Sequence, residues 1–104
     1  MNNIGYSTIL VHPGELIKEE LQARNLTQKY FSRVTGIPYT LFNDVLNGRR
    51  PVSTELALTI EAAMGISAEM LVNIQTRYNM QLARRDEGKA KHLRELQKIC
   101  ASLF

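Results

Sequence analysis

The chain has 104 residues, 44% hydrophobic and 22% charged, with a formal net charge of +3. This balance excludes an intrinsically disordered chain and fits one small domain that buries a core without disulfides or a metal. Its single cysteine, Cys100, excludes an internal disulfide, and no CxxC pair or His/Cys cluster has metal-ligand spacing, so neither a metal nor another cofactor is expected.

The apolar run at residues 9–11 is too short for a signal-peptide core and lacks a basic leader. Nothing approaches a membrane span, so the expected location is the cytoplasm, away from membranes. The pI near 9.2 permits a polyanionic partner, and the distribution of charge sharpens this. Between residues 24 and 50 the chain carries Arg24, Lys29, Arg33, Arg49 and Arg50 against only Asp44. The preceding stretch holds Glu15, Glu19 and Glu20 against Lys18. Positive charge concentrated in one segment favours nucleic acid over a general solubility effect.

Residues 1–11 mix Ile4, Tyr6, Ile9, Leu10 and Val11 with Asn, Gly, Ser and Thr. They read as a β-leaning or irregular arm, which either folds over the core or adds to a partner's sheet edge. Pro13 suits a first helical position and Glu15 favours a helix N-terminus, which predicts a first helix over residues 13–24 with Leu16, Ile17 and Leu21 inward. His12, with no nucleophile or carboxylate at defined spacing, reads as structural.

Thr27 is a good N-cap for a second helix over residues 28–35, ended by Gly36. Pro38 then opens a third, residues 38–47, ended by Asn47 and Gly48. Phe31, Val34, Ile37, Phe42, Val45 and Leu46 are the expected inward positions, and Ser32 is small where the two helices must approach closely. The stretch LTQKYFSRVTGIPYTLFNDVLNGRR, residues 26–50, thus has the punctuation of two short helices held across one another by a tight turn, a helix-turn-helix.

Ser53 caps a fourth helix to about residue 64, with Leu56, Ile60 and Met64 on its inner face. Ser67 caps a fifth over residues 68–84, in which Leu71, Ile74, Tyr78 and Leu82 share one side. After a polar break at residues 84–88, residues 89–103 place Leu93, Leu96, Cys100 and Leu103 at three- and four-residue spacing. About two heptads are too few for a free coiled coil, so this helix needs a partner surface, either its own domain or another subunit. Cys100 on that stripe reads as a small apolar residue.

In a helix-turn-helix the second helix enters the major groove. Helical spacing puts Tyr39, Thr40, Asn43, Asp44 and Asn47 opposite Phe42, Val45 and Leu46, and these five are the base-facing candidates. Asn43 suits adenine, Thr40 a base or a thymine methyl, and Tyr39 a phosphate or sugar. Thr27, Gln28, Lys29, Arg49 and Arg50 are the phosphate candidates. No convergent acid, base, nucleophile or ligand set points to an enzyme.

These residues also carry a resemblance. LTQKYFSRVTGIPYTLFNDVLNGRRPVSTELALTIEAAMG resembles the Xre-type helix-turn-helix family, and HPGELIKEEL before it with ISAEMLVNIQTRYNMQLARR after it resembles the HigA-type antitoxins. The likeness covers residues 12–85. It implies an all-α, lambda-repressor-like five-helix DNA-binding domain; the extra C-terminal helix at residues 86–104 and the short N-terminal arm at residues 1–11 are read from the residue pattern, outside the likeness. The likeness further implies a non-enzymatic homodimer that represses its own operon at a palindromic DNA operator and neutralises a HigB/RelE-like mRNA endonuclease toxin.

Relatives place DNA-contacting residues where Gln28, Tyr39, Thr40, Asn43 and Asp44 stand. Two positions depart from the pattern: Pro38 is often Ser and Asp44 is often Arg. Leu93, Leu96, Cys100 and Leu103 are the expected dimer or partner surface. The alternatives are a stand-alone Xre regulator without a toxin, and a toxin-binding interaction protein with weak or lost DNA binding.

Overall fold

The computed structural model describes residues 9–104, so most of the arm expected at residues 1–11 lies outside the described residues. The order is α1 (Pro13–Ala23), α2 (Gln28–Thr35), α3 (Tyr39–Leu46), α4 (Thr54–Met64), α5 (Ala68–Arg84) and α6 (Glu87–Cys100), with no strand among the described residues. The fold is all-α and lambda-repressor-like.

Local chemistry sets the boundaries. The side chains of Thr27, Ser53 and Asp86 accept hydrogen bonds from the N–H groups of Tyr30, Leu56 and Lys89, capping α2, α4 and α6. The cap at Asp86 starts α6 earlier than the expected residue 89 and draws Gly88 into the helix. Pro38 sits just before α3 as its N-cap, with no side-chain cap bond, so α3 starts at Tyr39 rather than at the proline.

The end of α3 sets the path of the chain beyond it. Gly48 takes φ +74°, its N–H donates to the Val45 carbonyl at 3.1 Å, and the Arg49 N–H donates to the Asp44 carbonyl at 2.8 Å. This Schellman turn satisfies orphan carbonyls and aims Arg49 and Arg50 back beside the helix they leave. Asn25, at φ 57°, ends α1 in the same way, and the adjoining Leu26 packs against the core.

The chain divides into two compact units. In Val11–Thr76, the core is built from Ile17, Leu21, Phe31, Ile37, Phe42, Val45, Leu46, Val52, Leu56, Ala57, Ile60, Met64, Ala68 and Leu71. Phe42 is fully buried and stacks on Phe31 with ring centroids 5.1 Å apart. Burial of such a side chain contributes about 1.5–3 kcal/mol, and α3 is held against both α1 and α2.

Val34, expected inside, is 64% exposed. The buried side of α2 runs through Gln28, Phe31, Ser32 and Thr35, and helical geometry turns Val34 off that stripe. Ser32 is buried as expected. On α5, Leu71 and Gln75 are buried while Ile74 is half-buried. Gln75 accepts the Val52 N–H through Oε1 at 2.8 Å, which secures the segment after α3. The second unit contains the end of α5 and α6. There Leu82, Leu93, Leu96 and Leu103 are exposed, and Tyr78 and Cys100 are half-buried.

Candidate nucleic-acid interface

The segment HPGE docks the start of α1 on the end of α3. Gly14 is buried with its Cα so close to α3 that an added Cβ would overlap the Val45 carbonyl oxygen. Only a residue without a side chain allows this approach. His12 is 4% exposed, and its Nδ1 accepts the Gly14 N–H at 3.0 Å. That bond places the ring proton on Nε2, and the ring is also hydrogen-bonded to the backbone of Arg50. His12 therefore joins the start of α1 to the segment that leaves α3. Burial pushes its imidazole pKa below the ordinary value, against opposing effects of the Glu15 charge and the Arg50 backbone.

On the opposite side of α3, the base-facing candidates come together with most of the phosphate candidates. Tyr39 is 50% exposed, Thr40 and Asn47 are exposed, and Asn43 and Asp44 are half-buried. Asn43 Nδ2 donates to Gln28 Oε1 at 2.9 Å, linking α3 to the start of α2. Arg49 Nη2 donates to Asn43 Oδ1 at 3.1 Å. Asp44 Oδ1 receives Arg49 Nε at 3.2 Å and lies 3.1 Å from its Nη2, while Asp44 Oδ2 lies 3.9 Å from Arg50 Nη2. Asn47 turns back on its own helix, donating to the Asn43 carbonyl at 2.8 Å.

The donor inventory fixes this network. Guanidinium groups only donate, so the Asn43 atom facing Arg49 must be Oδ1, and the atom facing Gln28 must be Nδ2. The Gln28 carbonyl then points inward and its amide is left to donate outward. Asn43 retains one N–H and one lone pair, the pair of functions that a bidentate contact to adenine requires. Asp44 is tied to two arginines rather than standing as a bare carboxylate on the face.

At the start of α2, Thr27 accepts the Tyr30 N–H through its hydroxyl oxygen and keeps its own hydrogen to donate, beside exposed Lys29. The N–H groups of the first turn and the positive end of the helix dipole suit a phosphate. Not every cation of the basic segment is free for this. Arg24 is engaged by Glu20 and by the Met64 carbonyl at 2.7 Å, and Arg33 lies over the Tyr30 ring. Among the described residues, no group of three or more His, Cys, Asp or Glu is placed to hold a metal.

The helix-turn-helix family model matches residues 17–71, more than half of the chain. The chain belongs to the Xre-type helix-turn-helix family. It is 26% identical to virulence-associated protein I of Dichelobacter nodosus over 78 residues, which are 74% of this chain and 72% of that protein. It is also 26% identical to the uncharacterised HTH-type transcriptional regulator YddM of Escherichia coli over 68 residues, 65% of this chain and 72% of that one.

Among solved structures, it is similar to a HigA-family addiction module antidote protein from Coxiella burnetii. The TM-score is 0.70 at 28% identity, covering 78% of this chain and 89% of that one. A Pseudomonas aeruginosa protein solved with its operator DNA shares the fold with a TM-score of 0.74 at 22% identity, covering 85% and 94%.

The sequence alone does not bring out Gly14 and His12 as members of one joint. Pro13 and Glu15 mark only a helix start, and the close approach to Val45 is a tertiary fact. Nor does spacing show that Arg49 reaches Asn43, because that contact depends on the turn after α3.

Proposed function

We propose that this Xre-type chain is the DNA-binding antitoxin of a type II toxin-antitoxin pair. As a homodimer it represses its own operon at a palindromic operator and neutralises a HigB/RelE-like mRNA endonuclease. The observation that carries this reading is the prewired α3 face, in which Gln28, Asn43, Arg49 and Asp44 form one hydrogen-bonded network rimmed by cations. Tyr39, Thr40, Asn43, Asp44 and Asn47 are its base-side residues, and Thr27, Gln28, Lys29, Arg49 and Arg50 its phosphate side. The similarity to a HigA-family antidote supports the antitoxin role, and the relative solved on operator DNA supports the repressor role.

Two copies are required because one α3 covers only one half-site of a palindrome. The exposed Leu93, Leu96 and Leu103 of the C-terminal segment, with half-buried Cys100, supply the dimer or partner surface. DNA and an mRNA-cleaving toxin both place the protein in the cytoplasm. Among the described residues no helix is long and apolar enough to cross a membrane. The chain performs no catalysis in this reading and needs no cofactor.

A stand-alone Xre regulator is the second reading, favoured by the similarity to YddM. Co-expression with the product of the neighbouring reading frame separates the two. Co-purification and rescue of growth support the antitoxin, whereas a neighbour that neither binds nor arrests growth leaves the regulator alone.

A further inference from the structure

We propose that Asp44 is a positioning residue for base recognition, acting through Arg49 on Asn43, and that it trades DNA affinity for sequence discrimination. The inference rests on the DNA-binding reading above and deepens it by naming what the departure at residue 44 does.

The geometry runs in one direction. Asp44 Oδ1 holds both Nε and Nη2 of Arg49, a charge-assisted clamp on a side chain that is otherwise 60% exposed. The clamped guanidinium presents Nη2 to Asn43 Oδ1 at 3.1 Å. Since a guanidinium cannot accept, Asn43 is held in one amide orientation, and Gln28 Oε1 at 2.9 Å holds the other end. An amide free to flip offers donor and acceptor in either order. One held in place offers them in a single order, which matches adenine N7 and N6 but not their exchange.

The same clamp costs affinity. Asp44 puts a negative charge beside the phosphate-facing surface, and its second oxygen lies 3.9 Å from Arg50 Nη2, so two cations that would otherwise seek phosphates are drawn to the protein. Releasing them strengthens sequence-independent binding and steepens its salt dependence.

Asp44→Asn keeps the shape and removes the charge. Arg49→Lys keeps the charge and removes the planar fork, whose Nε and Nη2 grip Asp44 together and so fix the Nη2 that meets Asn43. The test selects binding sites from randomised duplex DNA with wild type and both variants. It then measures affinity for the wild-type site and for a scrambled duplex across a salt series, with thermal melts confirming that each variant is folded.

Wild type is expected to select adenine at a fixed half-site position, and both variants to lose that preference, with the specific-to-scrambled ratio falling about tenfold. Asp44→Asn is further expected to bind scrambled DNA more tightly, with a log–log salt slope steeper by about one to two. Undiminished discrimination in both variants, with wild type binding DNA, overturns this inference alone. So does loss of a cytosine preference in Asp44→Asn while Arg49→Lys behaves as wild type, because Asp44 would then contact the base itself. Absence of wild-type binding at low salt overturns the DNA reading and this inference with it.

Discussion

Gly14→Ala tests the joint on which the placement of α3 depends. Residue 14 is the second residue of α1, and alanine is the better choice by about 0.5–1 kcal/mol in a helix interior, an upper bound for this first-turn position. Here the added methyl would overlap the Val45 carbonyl oxygen and crowd Val45 C at 2.9 Å and His12 Nδ1 at 3.0 Å. The obstacle is backbone within a helix, so no rotamer change relieves it, and α1 must retreat from α3. Overpacking of this kind costs about 1–3 kcal/mol, and the backbone obstacle favours the upper end. Disturbing the His12 cap adds about 1 kcal/mol.

After subtracting the helix-propensity gain, the net loss is about 2–3 kcal/mol, which lowers the melting temperature of a domain this size by at least about 8 °C. Far-ultraviolet circular dichroism on heating measures it directly. A variant that melts at or above the wild-type temperature refutes the close approach of α1 and α3.

Phe42→Ala removes a fully buried ring stacked on Phe31 and is expected to cost about 3–5 kcal/mol in urea unfolding. Val34→Ala, on an exposed position, should stay within about 0.5 kcal/mol of wild type. Lowering the pH should destabilise the protein through His12. Its folded pKa lies below its unfolded value, so the unfolded state binds the proton first, and the stability present above about pH 6.5 is lost as pH falls toward the folded pKa. His12→Asn, which retains a capping side chain, should flatten that part of the urea-midpoint profile relative to wild type. An unchanged profile would mean that the His12 imidazole does not carry the dependence.

The helices are legible in the sequence where punctuation is local. Thr27 and Gly36 bracket α2, and Ser53 and Gly65 bracket α4, because caps and left-handed stops act within a few residues. Phe42, Val45 and Leu46 follow the same logic through helical period. Val34 does not, because a helix of eight residues buries only a narrow stripe and an apolar residue just off it stays exposed. Asp86 reads as part of a polar break, although its side chain starts α6.

The candidate face is legible as a set of residues on one side of α3, but its wiring is not. Arg49 lies five residues after Asp44 and outside the helix, so only the turn at Gly48 brings its guanidinium back to Asp44 and Asn43. Asp44 looks from sequence like a charge opposed to DNA, and its two arginine partners change what it can do there.

Hydroxyl-radical footprinting on the DNA upstream of the chain's own reading frame tests most directly whether the α3 face reads an operator. The account predicts two protected patches related by a dyad and spaced by about one helical turn, 10–10.5 base pairs. It also predicts that Asn43→Ala and Arg49→Ala, each folded, lose those patches before they lose weak binding to bulk DNA. Uniform protection that both variants retain, or no protection at low salt, would contradict it.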